Sequence, residues 1–564
     1  MSSAPQAIDM GSGHTTESTN HSGVSSQETP IGSFANLAQE LIDNIILFVR
    51  GEDVSSLSLT SKNLRDSTLP RLFGNIKMTW KGTHGRPIRV LGQPERIFVN
   101  AYETVYAPRI DLLLRSILER PELAALVTTV DLRCEGYLSD SGRDLYSDSG
   151  ECSFSNPERL FLPTLPITSE SSAHLFVSAL RKLGGPSNKD FEESLLKNDL
   201  DAVLALFLVS CPQLSAFSAG RFILRPNPYL QFLLMPFLPY PMKKPLFGKL
   251  QNLKLGIAPE DGIMAEQLNR AGQIAEGRLY LSLLYSQHLR KVERNLYPVL
   301  FDAPNIVGEG TGNLFWPMRK PPAGSAIQIL RLLRTKMRPA ALQELLCFIS
   351  RLQVLHYDLW LTTVHATNLS LALRMVQNTL TELVITYDLY GGAGSASFRD
   401  APVFGHCSLI TQFALQRIHI PICVLLGPKP ELAPRLSEVL PPGLISLSFG
   451  DDACPGGNPL WSEAQMMHSF IEFIGDYRWK AVVPILKDFN VSLVEIDVRQ
   501  FGYAEEDEWE PNKTELDLKT LCNSNGLGCK MLRWLPKRRD GVEFICAKYG
   551  GGGGIHRICY PFFK

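Results

Sequence analysis

A short pattern, L-x-x-L-x-L with aliphatic or aromatic substitutes, recurs seven times along this chain and constrains its fold more than any other feature. It falls at Leu214/Phe217, Leu250/Leu253/Leu255, Leu352/Leu355/Tyr357, Leu380/Leu383/Ile385, Leu415/Ile418/Ile420, Leu444/Leu447/Phe449 and Leu493/Ile496/Val498. Alternation in the last positions has the period of a strand, so the spaced apolar side chains face a core and the intervening ones face out. The intervals between first residues are 36, 102, 28, 35, 29 and 49. The short ones hold one strand and one helical return; the long ones imply degenerate repeats or insertions. A helix is predicted at Asp111–Val127 (DLLLRSILERPELAALV) ahead of Val130-Asp131-Leu132, and helix-rich segments at Phe191–Cys211 and Ser325–Leu352.

This spacing is similar to that of leucine-rich repeats, whose units stack so that neighbouring strands build a continuous core. The fold class expected is α/β, as an irregular leucine-rich-repeat-like solenoid. An ordinary α/β sheet is the alternative, although most linking segments lack the Gly-rich turns of nucleotide-binding sheets. Ala258–Pro322 has no template match and carries a helix candidate at Ala265–Val292, so an insertion is expected over 258–322. The acidic run Glu505–Glu510 is expected to be a solvated loop.

Outward positions of the template are Asn252 and Lys254, Val354 and His356, Glu382 and Val384, Arg417 and His419, Ser446 and Ser448, Glu495 and Asp497. Both signs of charge mix there with small and apolar groups, which suits a protein partner better than a phosphate backbone. The candidate target-binding residues are therefore Asn252, Lys254, His356, Glu382, Arg417, His419, Glu495 and Asp497.

Composition limits the partners. Of 564 residues 45% are hydrophobic, and 56 Lys+Arg against 57 Asp+Glu leave a net charge of -1. Such a chain has no global field to gather nucleic acid or an anionic membrane, and neither is an expected partner. Its most apolar stretch, Tyr229–Tyr240, is broken by Pro236 and Pro239 and is too short to span a bilayer. The N-terminus lacks a basic region followed by an apolar one, so an intracellular location, cytoplasmic or nuclear, is expected. The 11 Cys include no CxxC pair and suit reduced core thiols; Cys522 and Cys529, close enough in sequence to pair, are expected to stay reduced. Residues 1–33, rich in Ser, Thr, Gly and Gln, are expected to form a disordered tail.

From Phe34 the composition changes. Leu37, Leu41, Ile45 and Val49 recur every four residues, with Ile42 and Ile46 widening the stripe into an amphipathic helix that Gly51 ends. Asp53 is placed to cap a second helix through Val54 and Leu57, and Ser61 to start a third, carrying Leu64 and interrupted by Pro70. The run Leu37-Ala38-Gln39-Glu40-Leu41, then Ile45, Phe48, Val49, Asp53-Val54, Leu57, Leu59, Ser61-Lys62 and Leu64, resembles the F-box. The continuation Leu69-Pro70-Arg71-Leu72-Phe73, then Asn75-Ile76, is similar to the ending common in fungal F-box proteins. One departure is Ala38, where the family usually has a proline that pre-sets φ at the helix start. An anonymous helical cap on the following domain is the alternative.

The resemblance implies an adaptor-binding set drawn from Leu37, Ala38, Glu40, Leu41, Ile45, Asp53, Val54, Leu57, Ser61 and Lys62. It divides the chain into the tail (1–33), an F-box-like helical module (34–80), a connecting segment (81–110) and a recognition domain (111–564).

No HExxH, GxSxG, GxxxxGK[ST] or paired CxxC occurs. Gly308–Gly312 lacks the strand and Lys-Ser/Thr of a phosphate loop, Gly550–Gly554 reads as a surface turn, and His406-Cys407 with His419 and Cys423 falls short of a tetrahedral ligand set. Asp148–Ser153 matches an Asp-Ser-Gly-x-x-Ser phosphodegron in a polar segment. The resemblance implies a non-enzymatic substrate-recognition subunit of a Skp–cullin–F-box ubiquitin ligase, without cofactor or metal. It would join a Skp-type adaptor, and through it the cullin–RING ligase, to an unidentified protein substrate. A leucine-rich-repeat scaffold uncoupled from ubiquitination and an α/β enzyme of unrecognised class are the alternatives.

Overall fold

The structure is a computed structural model and describes residues 37–83, 87–89, 97–99, 103–135, 170–182, 189–220, 229, 248–255, 284–295, 324–335, 337–361, 364–389, 403–412, 414–450, 461–494 and 513–534. The chain divides into two compact units, Met1–Leu69 and Pro70–Lys564. The N-terminal tail, the degron match, the acidic run and both glycine runs lie outside the described residues.

The first unit is helical: α1 (Gln39–Phe48), α2 (Gly51–Ser58) and most of α3 (Lys62–Gly74). Ser61 starts α3, its Oγ accepting the Leu64 N–H at 3.2 Å. Two details depart from the sequence expectation. Asp53 does not cap α2, because Arg50 is extended (φ -61°, ψ 146°) and the helix begins at Gly51. Pro70 does not end α3; it is exposed, so water reaches the carbonyl that its missing N–H leaves unpaired.

The second unit is α/β. Its main sheet comprises β1 (Asn75–Thr83), β2 (Glu103–Tyr106), β3 (Thr129–Glu135), β4 (Ala216–Ala219), β5 (Asn252–Leu255), β6 (Lys291–Asn295) and β7 (Ile329–Thr335). It continues through β8 (Val354–Leu361), β9 (Glu382–Leu389), β10 (Arg417–Pro421), β11 (Ser446–Gly450), β12 (Asp488–Val494) and β13 (Gly528–Trp534). From β3 onward each strand pairs in parallel with the next one in the chain, while β1 lies between β3 and an antiparallel β2. A doubly wound sheet would instead reverse its strand order at a switch point.

Helices return the chain between strands: α4 (Ile110–Glu119), α5 (Pro121–Ala124), α6 (Glu170–Lys182), α7 (Lys189–Leu196), α8 (Leu200–Val209), α9 (Pro339–Leu346), α10 (Ala366–Arg374), α11 (Ile422–Leu426), α12 (Leu436–Val439), α13 (Glu463–Gly475), α14 (Trp479–Val482) and α15 (Lys513–Ser524). One helix is expected over 111–127, but two form: Pro121 excludes Arg120 from the helical region (φ -132°, ψ 81°), and the chain restarts after it. None of the helices is long and apolar enough to cross a membrane, among the described residues.

The template is a real register. Val130, Phe217, Leu253, Val292, Leu330, Leu355, Leu383, Ile418, Leu447 and Phe489 align across the sheet, and all are buried. The first template residue forms a second buried column: Val127, Leu214, Leu250, Leu289, Ile327, Leu352, Leu380, Leu415, Leu444 and Leu486. Immediately after it, one carbonyl accepts two N–H groups from the next rung. Ser215 O takes Gln251 and Asn252, Gln251 O takes Arg290 and Lys291, Gln328 O takes Gln353 and Val354, and Ile445 O takes Lys487 and Asp488. These bonds satisfy the backbone just ahead of those strands, so these rungs enter the sheet in the same way.

Three rungs differ from the sequence expectation. Ile329–Thr335 is a strand inside a segment predicted to be helix-rich, and Lys291–Asn295 is a strand inside the segment predicted as an insertion. The last match sits seven residues too late: Leu447 and Phe449 pair with Phe489 and Val491, so the template is Leu486/Phe489/Val491, and Leu493 lies further along the same strand.

Candidate functional site

Two surfaces hold the residues singled out by sequence. The first is α1. Its helical wheel carries two apolar stripes, of which Ile42 and Ile46 are buried while Leu41, Ile45 and Phe48 face out, Phe48 at 89% exposure, and Leu37, just ahead of the helix, is exposed as well. A hydrogen bond from Gln39 Nε2 to Ser67 Oγ at 2.7 Å ties α1 to α3. Of the other candidates, Ala38, Glu40, Asp53, Ser61 and Lys62 are exposed, Leu57 is half-buried, and Val54 is buried at 1% and so serves the packing of the helices. Ala38 takes φ -58°, an angle proline also adopts, and its carbonyl accepts the first helical N–H groups, from Leu41 and Ile42. Exposed Leu47 falls off the four-residue stripe and was not singled out; exposed Leu59 belongs to the run that resembles the F-box but not to the expected adaptor-binding set.

The second surface is the outward side of the parallel sheet. In one outward row the register runs Asn252, Lys291, Ile329, Val354, Glu382, Arg417, Ser446, Asp488. In the next it runs Lys254, Glu293, Arg331, His356, Val384, His419, Ser448, Asn490. Neighbouring strands are about 4.8 Å apart, so charged side chains in register reach one another.

They do so in two groups. Glu293 is buried and receives Lys254 Nζ at 2.6 Å and Arg331 Nη1 at 3.4 Å. Burial pushes its carboxyl up, but the Lys254 hydrogen bond and the charges of Lys254, Arg331 and Lys291 outweigh this, and the net shift is downward. Lys291 is pushed down, by burial first and then by Arg331. In the second group Glu382 Oε1 lies 3.3 Å from His356 Nε2 and Oε2 accepts Arg417 Nε at 3.0 Å. The bonds from His356 and Arg417 hold the Glu382 carboxyl below its ordinary range against the effect of burial. His419, beside them, is pushed down to about 4 by burial and by the charge of His356, so its ring is neutral at physiological pH. Nearby, Thr386 Oγ1 donates to Asp358 Oδ1 at 2.7 Å.

The structure therefore brings together Lys254 with Glu293, and His356, Glu382, Arg417 and His419 with one another. Asn252 is exposed on the same side, whereas Glu495 and Asp497 lie outside the described residues. Facing out does not mean exposed, since His356 is only 7% accessible. Lys291, Glu293, Arg331, Asp488 and Asn490 were missed because their rungs were; the sequence signals are Leu289-x-x-Val292, Ile327-x-x-Leu330-x-Leu332 and Leu486-x-x-Phe489-x-Val491. Of the Cys and His weighed as metal ligands, Cys407 and Cys423 are buried, and His406 is exposed. No family model matches the chain, and no curated protein matches it either.

Proposed function

We propose that the chain is the substrate-recognition subunit of a Skp–cullin–F-box ubiquitin ligase. On this reading the N-terminal helices are an F-box, and a leucine-rich-repeat-like solenoid holds a target protein on the outward side of its sheet. The observation that carries the proposal is the second apolar stripe of α1: Leu41, Ile45 and Phe48 are exposed, with Leu37 just ahead of the helix, although Ile42 and Ile46 already supply the buried side. A helix apolar on two sides needs a second partner. The consecutive parallel order of β3–β13 supports the solenoid. The outward rows support a protein target, since their charges are largely paired among themselves and leave a polar, hydrogen-bonding surface.

Affinity purification of the tagged full chain, followed by mass spectrometry, tests both halves. Leu41→Asp is expected to abolish recovery of the Skp-type adaptor. Ser446→Arg, on the outward side and outside the ion pairs, is expected to reduce target recovery while leaving the adaptor unaffected. Equal adaptor recovery with wild type and Leu41→Asp would overturn the ligase reading and leave the scaffold.

A further inference from the structure

Two thiols meet at the edge of the sheet. Helix α15 turns its buried side, Glu515, Leu518 and Cys522, toward the sheet. The chain then reverses through Gly526 (φ 77°), where Leu527 N–H bonds to Cys522 O at 2.9 Å, and enters the edge strand β13. Cys529 pairs with Phe489, whose row points inward, so its side chain points at α15. Cys522 on the helix and Cys529 on the strand therefore face one another across this turn, with Lys519 adding a positive charge beside Cys529. Cys522 is buried, and Cys529 is half-buried at the sheet's edge.

We propose that Cys522 and Cys529 form a peroxide-responsive dithiol, with Cys529 the attacking thiol and Cys522 the resolving one. The neighbouring Cys522 thiol and the charge of Lys519 outweigh burial and lower the Cys529 thiol, while the Cys529 neighbour and burial push Cys522 up. Cys529 as thiolate attacks one oxygen of a hydroperoxide; the O–O bond breaks, Cys529 becomes a sulfenic acid, and the other oxygen leaves as hydroxide or alkoxide. That base takes the Cys522 proton. Cys522 sulfur then attacks Cys529 sulfur, the S–O bond breaks, and the hydroxide released is protonated to water. Two electrons pass from the thiols to the peroxide. A helix face and the adjoining strand, joined by a short turn, carry the two sulfurs on facing sides, and the disulfide needs them at about 2.05 Å. The resting chain keeps both thiols reduced, and oxidation staples the edge strand to its helix.

The test is hydrogen peroxide titration of the purified full chain, alkylation of the remaining thiols and peptide mass spectrometry. The expected product is a Cys522–Cys529 peptide lighter by about 2 Da, the two thiol hydrogens. It should form before exposed Cys347 is oxidised and revert with dithiothreitol. Cys522→Ala should divert Cys529 to sulfinic acid, and Cys529→Ser should eliminate the product. Oxidation of Cys347 ahead of Cys529, or a Cys529 that reaches sulfinic acid in the wild type with no linked peptide, would overturn the proposal. The wild-type readout does not depend on either variant folding.

Discussion

Glu293 and Lys254 meet at 2.6 Å across two adjacent strands, and Glu293 is the buried member of the pair. Removing the carboxylate leaves Lys254, Lys291 and Arg331 facing one another, whereas removing Lys254, 42% exposed at its side chain, leaves Glu293 still paired with Arg331. Glu293→Gln is expected to cost about 1–3 kcal/mol of stability, and Lys254→Gln under about 1 kcal/mol. Urea denaturation of the two variants checks the asymmetry. Because the Glu293 carboxyl is held below its ordinary range, its contribution is present above the unfolded value and fades as pH falls through the folded one.

His419 gives the sheet a separate pH dependence. Its ring titrates at about 4 in the folded chain and near 6.5 when unfolded, so between these values the unfolded chain binds more protons. Stability is expected to fall as pH drops through that window, by up to about 3 kcal/mol from this group. Denaturation midpoints at pH 7.5 and pH 5, on roughly either side of the free histidine value, should differ less in His419→Gln than in the wild type. An unchanged slope would place the ring in a wetter site.

The two stripes of α1 predict opposite responses to substitution. Ile46→Ala removes a buried side chain and should cost about 2–5 kcal/mol, while Leu41→Ala, half-exposed at 52%, should stay within about 0.5 kcal/mol. Thermal melts of the isolated chain separate them.

Gly427 holds φ 94° and ψ 169°, a region essentially closed to residues with a side chain, and its carbonyl accepts Trp461 Nε1 at 2.8 Å. A Cβ there would also lie 3.2 Å from Gly405 O. Gly427→Ala is expected to cost about 1–3 kcal/mol and to quench or shift the Trp461 fluorescence as the hydrogen bond is lost.

Much of the second unit is legible in sequence. Wherever Leu, Ile or Phe fills all three template positions, as at Leu415/Ile418/Ile420, a parallel strand forms in register and those side chains are buried, because alternation and burial are local properties of a pleated strand. The rungs at Leu289/Val292, Ile327/Leu330/Leu332 and Leu486/Phe489/Val491 were lost because they lie in segments read as an insertion, as helix-rich, or beside a second apolar run in the same strand. What tertiary structure decided was pairing. Glu293 and Lys254, or Glu382 and Arg417, are far apart in sequence, and only the stacking of rungs sets them opposite one another. The same holds for α1, where Leu41/Ile45 and Ile42/Ile46 are equally apolar in sequence. Periodicity defines both stripes, but which of them is covered depends on how the three helices pack together.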